Sequence, residues 1–437
     1  MISLSTRAVA VSSALPSRSR VYKDNDWATR KPIFAMTERL YNPQGLVALC
    51  EALILLPIFF VTATRPPAMV RLFILAAQLL LANWVNKNVA MEDIFSTYSM
   101  GTLLCAWMPM TAIHFYFITN PLTDGTRHLN DKQKAKDMPL LQRIWWAACL
   151  VASFRGVGWN KQVCFFFYLA LNDEHRLRHF QLPHLRQVPK GQSRGSYVVE
   201  HSLWLIVYCL ISDLVALYER NYPYGSTPES PLFQVLNCYA CWTKLWVNFA
   251  IQYEVLAVLC VASGVWAPQL WPPMFGSFRD AYTVRRTWGR VWNGILRRFV
   301  SSYGKWLARA AGATPSTKAS SYIQLYAGFI VSGLLHEIGD RQLDRGPGRS
   351  MRFFILQALW ITLEDGIIGL GKRLGIQESS ATRSLGRLST FVWFAATTPP
   401  ELIEVMLNGG KPAPSTYLGT VRRMLGLEGK FQIPWSH

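Results

Sequence analysis

Residues 277–309 have the sequence SFRDAYTVRRTWGRVWNGILRRFVSSYGKWLAR, which is apolar enough to lie against a membrane and too basic to cross one. We place it on a helix, at roughly 100° per residue. The apolar side chains then gather on one face: Val284, Trp288, Val291, Trp292, Ile295, Phe299 and Trp306. The opposite face carries Arg286, Arg290, Asn293, Arg297, Ser301 and Lys305.

This polar face permits two interpretations. It can belong to an interfacial helix whose cations meet lipid phosphates. Alternatively, the cations hold an anionic substrate beside Asn293, which is the one uncharged amide within the row. The pattern alone favours lipid, and a second segment, residues 331–340, favours the substrate.

The composition is that of a membrane protein. The 437 residues are 51% hydrophobic and only 16% charged, whereas a soluble enzyme usually carries about 25% charged residues. Several apolar runs approach the roughly 20 residues that span a bilayer. We therefore predict an all-α, polytopic transmembrane helical bundle with interfacial amphipathic helices.

The chain is also strongly basic, with a formal net charge of +19. In a soluble protein this charge would suggest a nucleic-acid partner. Here the cations cluster in loops between apolar runs, and no nucleic-acid-binding motif accompanies them. We predict no nucleic-acid partner, and contacts with membrane lipid or a phosphorylated co-substrate.

About eight spans are expected. They are 45–64, 69–84, 95–118, 197–218, 241–266, 320–338, 353–371 and 388–407. Pro399 and Pro400 interrupt the last of these, and residues 140–159 are interpreted as an interfacial or re-entrant helix. The predicted organisation is a basic N-terminal tail (1–44), a membrane-embedded domain (45–410) and a short C-terminal tail (411–437).

Counting eight spans assigns the loops to two sides. The cation-rich loops 121–196, 267–319 and 372–387 fall on one side, which should be cytosolic because cytosolic loops carry an excess of Lys and Arg. The loop 220–240 and the N-terminal tail then face the lumen, although the tail is itself basic. We predict a multi-pass integral membrane protein of the endoplasmic reticulum.

The cysteines and histidines do not indicate a metal site. Most of the eight cysteines lie in apolar runs, and Cys238 and Cys241 form a lone CxxC pair. A structural zinc site usually needs two such pairs. The clustered His175, His179 and His184 stand among Arg and Gln, without a carboxylate or Cys at ligand spacing. We therefore predict no metal.

Ionisable residues inside apolar spans are costly and need a reason. The candidates are Glu51, His114, Asp213, Glu254, His336, Glu337, Glu364 and Asp365. A lone acid in such a place is usually a structural hydrogen-bond partner. His336 differs, because neutral imidazole can accept a proton from an alcohol and Asp340, four residues later, could orient the ring. The alternative is a buried histidine bonded to a backbone carbonyl.

Two elements carry a resemblance to a known family. Residues 288–293, WGRVWN, resemble the W-G-R-x-W-N element of the wax synthase branch of membrane-bound O-acyltransferases, and residues 332–337, SGLLHE, resemble its S-G-x-x-H-E element. Their order and separation also agree. Residues 155–159, RGVGW, resemble an element of the fungal members, which include O-acetyltransferases of terpenoid and polyketide-terpenoid pathways. Thr287 and Val291 differ from the Phe and Arg that the family often has.

The resemblance implies a helical bundle around a tunnel, an acyl-CoA donor and transfer to a hydroxyl. His336 matches the catalytic histidine, and Asn293 matches its paired asparagine. Acyl-CoA, with acetyl-CoA favoured, is then a co-substrate, and no cofactor is permanently bound. Residues expected to bind it are Arg285, Arg286, Arg290, Arg297, Arg298, Trp288 and Trp292.

The acceptor is expected to be a hydrophobic alcohol. The fungal element favours acetyl transfer to a terpenoid or meroterpenoid secondary metabolite, and the alternative is a wax ester synthase that acts on a long-chain alcohol. A membrane transporter is a third possibility, in which the acids and His336 form a proton pathway. It predicts two related halves, and the sequence has no such repeat.

Overall fold

The computed structural model describes residues 39–128, 130–153, 156–159, 188, 191–226, 230–292, 297–407, 417 and 419, with the backbone alone for 297 and 298. The fold in these residues is helical, apart from two short strands. The α-helices are α1 (Gln44–Thr64), α2 (Ala68–Asn88), α3 (Ile94–Met100), α4 (Met108–Ile113), α5 (Leu140–Ala152), α6 (Arg194–Asn221), α7 (Pro231–Ala262), α8 (Val284–Arg286), α9 (Arg297–Ala310), α10 (Lys318–Gln342), α11 (Arg349–Arg373), α12 (Ser380–Thr397) and α13 (Pro400–Met406).

Six helical stretches are long and apolar enough to cross a membrane: 44–64, 68–88, 94–118, 194–221, 231–262 and 349–373. Each corresponds to a predicted span, so the polytopic helical fold is confirmed. The other two predicted spans correspond to α10 and α12, which form helices but fall outside that set. Both carry charged or polar side chains along their length, which explains their lower apolarity.

Proline and capping residues set the ends of several helices. The last predicted span is broken as expected, because α12 ends at Thr397 and α13 begins at Pro400. The predicted span 241–266 is wrong at its start, since α7 begins at Pro231, directly after the Ser230 side chain that caps it. Proline fits the first turn of a helix, where its missing N–H is not needed, so the helix extends ten residues into the predicted loop.

The third stretch, 94–118, is a composite helix that packs closely on α10. α3 continues through a π-helix (Gly101–Trp107), α4 and a second π-helix (His114–Ile118). A Cβ atom on Gly101 would lie 2.9 Å from the Cα of Gly339 on α10. Two glycines therefore allow the two backbones to touch, and this contact places α3 beside the C-terminal half of α10.

Hydrogen bonds between the loops show which loops lie together at each end of the bundle. At one end, strand β1 (Leu40–Tyr41) pairs in parallel with β2 (Val89–Ala90). At the same end, Arg39 donates to the carbonyl of Gln342, and Arg345 pairs with Glu404. We refer to this as the N-terminal end. The first described residues thus lie beside the turn between α10 and α11.

The opposite end carries the basic loops and is called the basic end. There Tyr282 donates to Glu378 at 2.9 Å, and the guanidinium of Arg383 lies 5.6 Å from the Tyr282 ring centroid. The segments 278–292 and 378–387 are therefore adjacent, as expected for two loops on one side of the membrane.

The segment 277–309 differs from the single α-helix of the sequence interpretation. It contains the short helix α8, a π-helix (Thr287–Trp292) and, after residues 293–296, helix α9. A π-helix has more residues per turn than an α-helix, so the predicted faces shift. Val284, Val291 and Phe299 are buried as expected, but Trp306 is 47% exposed.

Candidate active site

His336 lies on α10 between two aromatic side chains from other helices. Its Nδ1 atom is 2.7 Å from the hydroxyl oxygen of Tyr98 on α3. The ring of Phe354 on α11 stacks against the imidazole, with centroids 4.9 Å apart and planes at 21°. The histidine is only half-buried. The ring orientation is thus fixed from two sides.

Asp340 does not orient this ring directly, so that hypothesis is wrong. Tyr98 occupies the Nδ1 position, and Asp340 instead accepts a hydrogen bond from the Ser350 hydroxyl at 2.5 Å. The guanidinium of Arg345 lies 3.8 Å from the other carboxylate oxygen. Asp340 therefore faces the turn that leads into α11, where cationic and hydroxyl partners offset the cost of its burial.

Glu337, the neighbour of His336, fixes the start of α11. Its carboxylate accepts from the backbone N–H of Gly348, and from that of Met351 at 3.4 Å. These N–H groups belong to the first turn of α11, which has no partners within its own helix. The last two residues of the SGLLHE element therefore have different contacts: His336 contacts aromatic rings, and Glu337 joins α10 to α11.

Trp288 and Trp292 lie in an aromatic cluster that reaches His336. Both rings contact Trp242 of α7, with centroids 6.1 and 5.4 Å away. Trp288 is also 6.2 Å from Phe354, the ring that stacks on the histidine. Its indole N–H donates to the buried Gln357 at 3.3 Å. The WGRVWN and SGLLHE elements, far apart in sequence, therefore meet through one phenylalanine.

The loop before the π-helix packs on it through Gly276. The N–H of Gly276 donates to the carbonyl of Val291 at 3.0 Å. A Cβ atom at this glycine would overlap the carbonyl oxygen of Arg290 and lie 3.0 Å from its carbonyl carbon. Only glycine allows this approach, so the position of the π-helix depends on it.

Arg285 is engaged with two acids of α11. Its Nε donates to Asp365 at 3.1 Å, and its guanidinium forms an ion pair with the same carboxylate. The backbone N–H groups of Val284 and Arg285 donate to Glu364. These contacts fix the position of the residues just before the WGRVWN segment. The ion pair also compensates much of the charge of Arg285, which was predicted to bind the co-substrate.

Arg286 and Arg290 lie on a basic surface at the basic end. Arg286 sits 4.2 Å from the centroid of Tyr282 and 3.9 Å from Asp280. Arg290 is exposed, and no ion pair to it is found among the described residues. Arg383 of α12 lies near the same Tyr282 ring. We call Arg286, Arg290 and Arg383 the arginine surface.

Glu378 anchors this surface. It accepts from Tyr282 at 2.9 Å and from Arg383 at 2.8 Å, and these two hydrogen bonds lower the pKa of its carboxyl group. Arg387 donates to the carbonyl of Arg279 at 3.2 Å. Sequence reasoning missed Arg383 and Arg387 as neighbours of the WGRVWN segment, although the count of spans already placed both loops on one side.

The remaining predicted site residues are not located by the structure. Asn293 lies outside the described residues, and the side chains of Arg297 and Arg298 are not described. Arg155 of the RGVGW element also lies outside them. The roles predicted for these residues therefore stay predictions.

Most other ionisable groups within the spans have structural partners. His201 and Glu254, both buried, contact each other at 2.5 Å between α6 and α7. His114 contacts the Ser302 hydroxyl at 2.8 Å. Asp213 accepts from the backbone of Tyr417 at 2.7 Å. These contacts agree with the expectation that intramembrane acids and histidines mostly serve as hydrogen-bond partners.

The cysteines with described positions are all free, including the CxxC pair. In the part of the chain that the structure describes, no three His, Cys, Asp or Glu side chains come together in a way that could hold a metal ion.

These features define a multi-pass helical membrane protein with a half-buried histidine next to a tryptophan-rich segment and an arginine surface. Comparisons with known proteins agree. Residues 271–356 match the membrane bound O-acyl transferase family. This range includes both the π-helix and His336.

Relatives cover most of the chain. The acetyltransferase ple2 of Rhodocybe pseudopiperita is 37% identical over 298 residues, 66% of this chain and 74% of that protein. The acetyltransferase eriL of Hericium erinaceus is 30% identical over 288 residues, 62% of this chain and 69% of the relative. The O-Mevalon transferase macI of Penicillium terrestre is 27% identical over 330 residues, 68% and 70% of the two chains. No solved structure matches this chain.

The chain belongs to the membrane bound O-acyltransferase family, as its resemblance implied. It is an O-acyltransferase embedded in a membrane.

Proposed function

We propose that this enzyme transfers an acetyl group from acetyl-CoA to a hydroxyl of a terpenoid or meroterpenoid acceptor, in the membrane of the endoplasmic reticulum. Two of the relatives above are named acetyltransferases, which favours the acetyl group. A single observation carries the site: His336 is held between Tyr98 and Phe354, and Phe354 contacts Trp288.

The chemistry follows from an imidazole with one nitrogen engaged. Nδ1 of His336 lies 2.7 Å from the Tyr98 hydroxyl, so the proposal places the ring proton on Nδ1 and makes Nε2 the atom that accepts the proton of the acceptor hydroxyl. The oxygen attacks the thioester carbonyl, a C–O bond forms, and the C–S bond breaks. The imidazolium then returns the proton to the CoA thiolate, so that the ester and CoA leave. This step needs neither a metal nor a covalent enzyme intermediate.

Asn293 is the second catalytic residue of the proposal. Its amide would hydrogen-bond the acyl carbonyl or the incoming hydroxyl, as the family resemblance implies. Donors placed at a developing oxyanion are worth about 10²–10³ in turnover. This role rests on the match of residues 288–293 to the family element.

The phosphates of CoA would bind the arginine surface. Arg286 and Arg383 both approach the ring of Tyr282. Arg290 belongs to the same segment as Arg286, and both Arg290 and Arg383 are exposed. Guanidinium groups bind phosphate with two parallel hydrogen bonds. Arg297 and Arg298 continue the row in sequence, whereas Arg285 supports it through Asp365.

Charge reversal on this surface should weaken donor binding. We expect Arg290→Glu and Arg383→Glu each to raise the KM for acetyl-CoA by about tenfold, which corresponds to about 1.4 kcal/mol of binding free energy, with kcat changed less than twofold. Initial rates in microsomes over a range of acetyl-CoA measure this. The matched control is Arg341→Glu, because Arg341 is exposed at the N-terminal end of the bundle. Equal effects at Arg341 and Arg290 would contradict the assignment.

The function itself is tested with two donors and two acceptors. Microsomes from a host that expresses the chain are incubated with acetyl-CoA or palmitoyl-CoA, and with a terpenoid alcohol panel or a long-chain alcohol. The proposal predicts acetate esters of terpenoid alcohols, absent from microsomes of an empty vector. Palmitate esters of the long-chain alcohol as the sole products would instead identify a wax ester synthase.

A further inference from the structure

A buried amide on α11 holds two tryptophans at once. Gln357 is completely buried. Its Oε1 atom lies 2.9 Å from the indole nitrogen of Trp393 on α12, and 3.3 Å from that of Trp288 in the π-helix. An indole nitrogen can only donate a hydrogen bond, so the atom that both indoles contact must be the amide oxygen. The two tryptophans thereby fix the orientation of the amide.

The end of α12 fixes the amide from the other side. Nε2 of Gln357 lies 3.4 Å from the hydroxyl oxygen of Thr397, the last residue of α12. That hydroxyl donates its own proton to the carbonyl of Trp393 at 2.8 Å, so it accepts from the amide. Gln357 therefore joins α11, α12 and the π-helix through donors and acceptors that match at every contact.

Gln357 shares a face of α11 with the ring that supports the proposed base. Phe354 precedes it by three residues, and side chains at this spacing are neighbours on a helix. Phe354 stacks on His336, and it also contacts Trp288, whose N–H donates to Gln357. The same face of α11 thus carries the ring that packs on the imidazole and the amide that holds the indole beside that ring.

The hydrogen bond to Gln357 gives the Trp288 indole its direction. The other contacts that the structure describes for this ring are aromatic, with centroids 5.8 to 6.3 Å away: Trp242, Phe329, Phe353, Phe354 and Phe394. Apolar contact is non-directional, whereas a hydrogen bond weakens steeply as it departs from linearity. Without the amide oxygen, the indole N–H would also be left without its acceptor, which is costly at a buried position.

We propose that Gln357 is a positioning residue for acyl transfer, which holds Trp288 and so keeps Phe354 packed on His336. This inference rests on the proposed function, because the base that is positioned is His336. Gln357 touches no substrate in this proposal. Its loss should therefore lower kcat and leave the KM for acetyl-CoA nearly unchanged, since Tyr282 and Glu378 hold the arginine surface.

The first test replaces the amide. Gln357→Leu removes the acceptor of both indoles and keeps a side chain of similar size. In microsomes with acetyl-CoA and a terpenoid alcohol, we expect kcat per molecule of folded enzyme to fall by about tenfold, since a misplacement of about 1 Å can cost 10²-fold. Gln357→Glu keeps an oxygen where both N–H groups point, so its kcat should stay within about threefold of the wild type.

Trp393→Phe is the matched control. It removes the other N–H that donates to Gln357, while a phenyl ring can keep the stacking on Trp360, where the centroids are 4.1 Å apart. The variant weakens the same buried cluster and leaves the bond to Trp288 in place. We expect wild-type kcat and KM. A loss in Trp393→Phe equal to that in Gln357→Leu would show that the cluster matters only as packing, and it would overturn the proposal.

Trp288→Phe tests the same bond from its other end, and it does so even if Gln357→Leu fails to accumulate. We expect kcat to fall as in Gln357→Leu. The double variant should be no slower than the worse single variant, because the bond is already absent. Multiplied losses would overturn the proposal, as would wild-type kcat in either single variant. A higher KM for acetyl-CoA with kcat unchanged would also do so, because it would place Trp288 at the donor.

The His336→Ala variant, assayed in parallel, distinguishes the inference from the proposed function. If it is inactive while Gln357→Leu has wild-type kcat, the positioning role is wrong and the acyl transfer site stands. If His336→Ala is itself fully active, the proposed site is wrong, and the positioning role falls with it because the base is not His336.

Discussion

Replacement of His336 by alanine should reduce acetyl transfer by about 10²–10⁴-fold, the range that a positioned general base contributes. His336 packs between Tyr98 and Phe354 and is half-buried, so its truncation leaves space without exposing a charged partner. We therefore expect near-normal abundance in microsomes. The measurement is the rate of acetate ester formation per molecule of enzyme, with abundance taken from an epitope tag.

Rescue with a small base provides the control for this variant. Imidazole added to His336→Ala can occupy the space of the lost ring and take the proton in its place. We expect a partial, concentration-dependent return of activity that is absent from the wild type. A variant that stays folded, abundant and as active as the wild type would show that His336 is not the base.

The second large effect is expected at Gly276, which contacts no substrate in this account. A methyl group there would overlap the carbonyl of Arg290, and backbone atoms cannot rotate away as a flexible side chain can. Gly276→Ala must therefore displace the π-helix that carries Trp288 and Trp292. We expect a loss of at least about tenfold in kcat/KM, since misplacement of about 1 Å can cost 10²-fold.

A matched glycine shows whether this loss is specific. Gly366 of α11 is exposed and has nothing within 4 Å of an added Cβ atom, and alanine is the better helix former. Gly366→Ala should keep wild-type activity and abundance. If Gly276→Ala does so too, the π-helix does not depend on that contact.

The parts of the fold that depend on local composition could be predicted from the sequence. Each of the six apolar stretches appeared as a run of hydrophobic residues, because crossing a bilayer imposes length and apolarity on the segment itself. The break at Pro399 and Pro400 was equally local, as proline ends a helix through its own ring. The start of α7 at Pro231 was missed, although proline is favoured at the first position of a helix.

The candidate site likewise contains residues that could be predicted from the sequence and residues that could not. His336 and Trp288 were predicted from their sequence elements, and they meet through Phe354. Tyr98 was not predicted, since it is 238 positions from His336 and lies in an ordinary apolar run. The same holds for Arg383, which joins Arg286 only through the packing of α12. Such pairings depend on which helices touch, and periodicity within one segment carries no information about that.

The most direct test of the central claim is a cryo-electron microscopy map of the wild-type enzyme with S-ethyl-CoA, a thioether that cannot transfer its ethyl group. We predict that the sulfur lies within hydrogen-bond distance of Nε2 of His336, directly or through one water molecule. The amide of Asn293 should lie beside the ethyl group, and the CoA phosphates should lie on the arginine surface. A map in which the thioether binds elsewhere, with His336 turned toward lipid, would contradict the account.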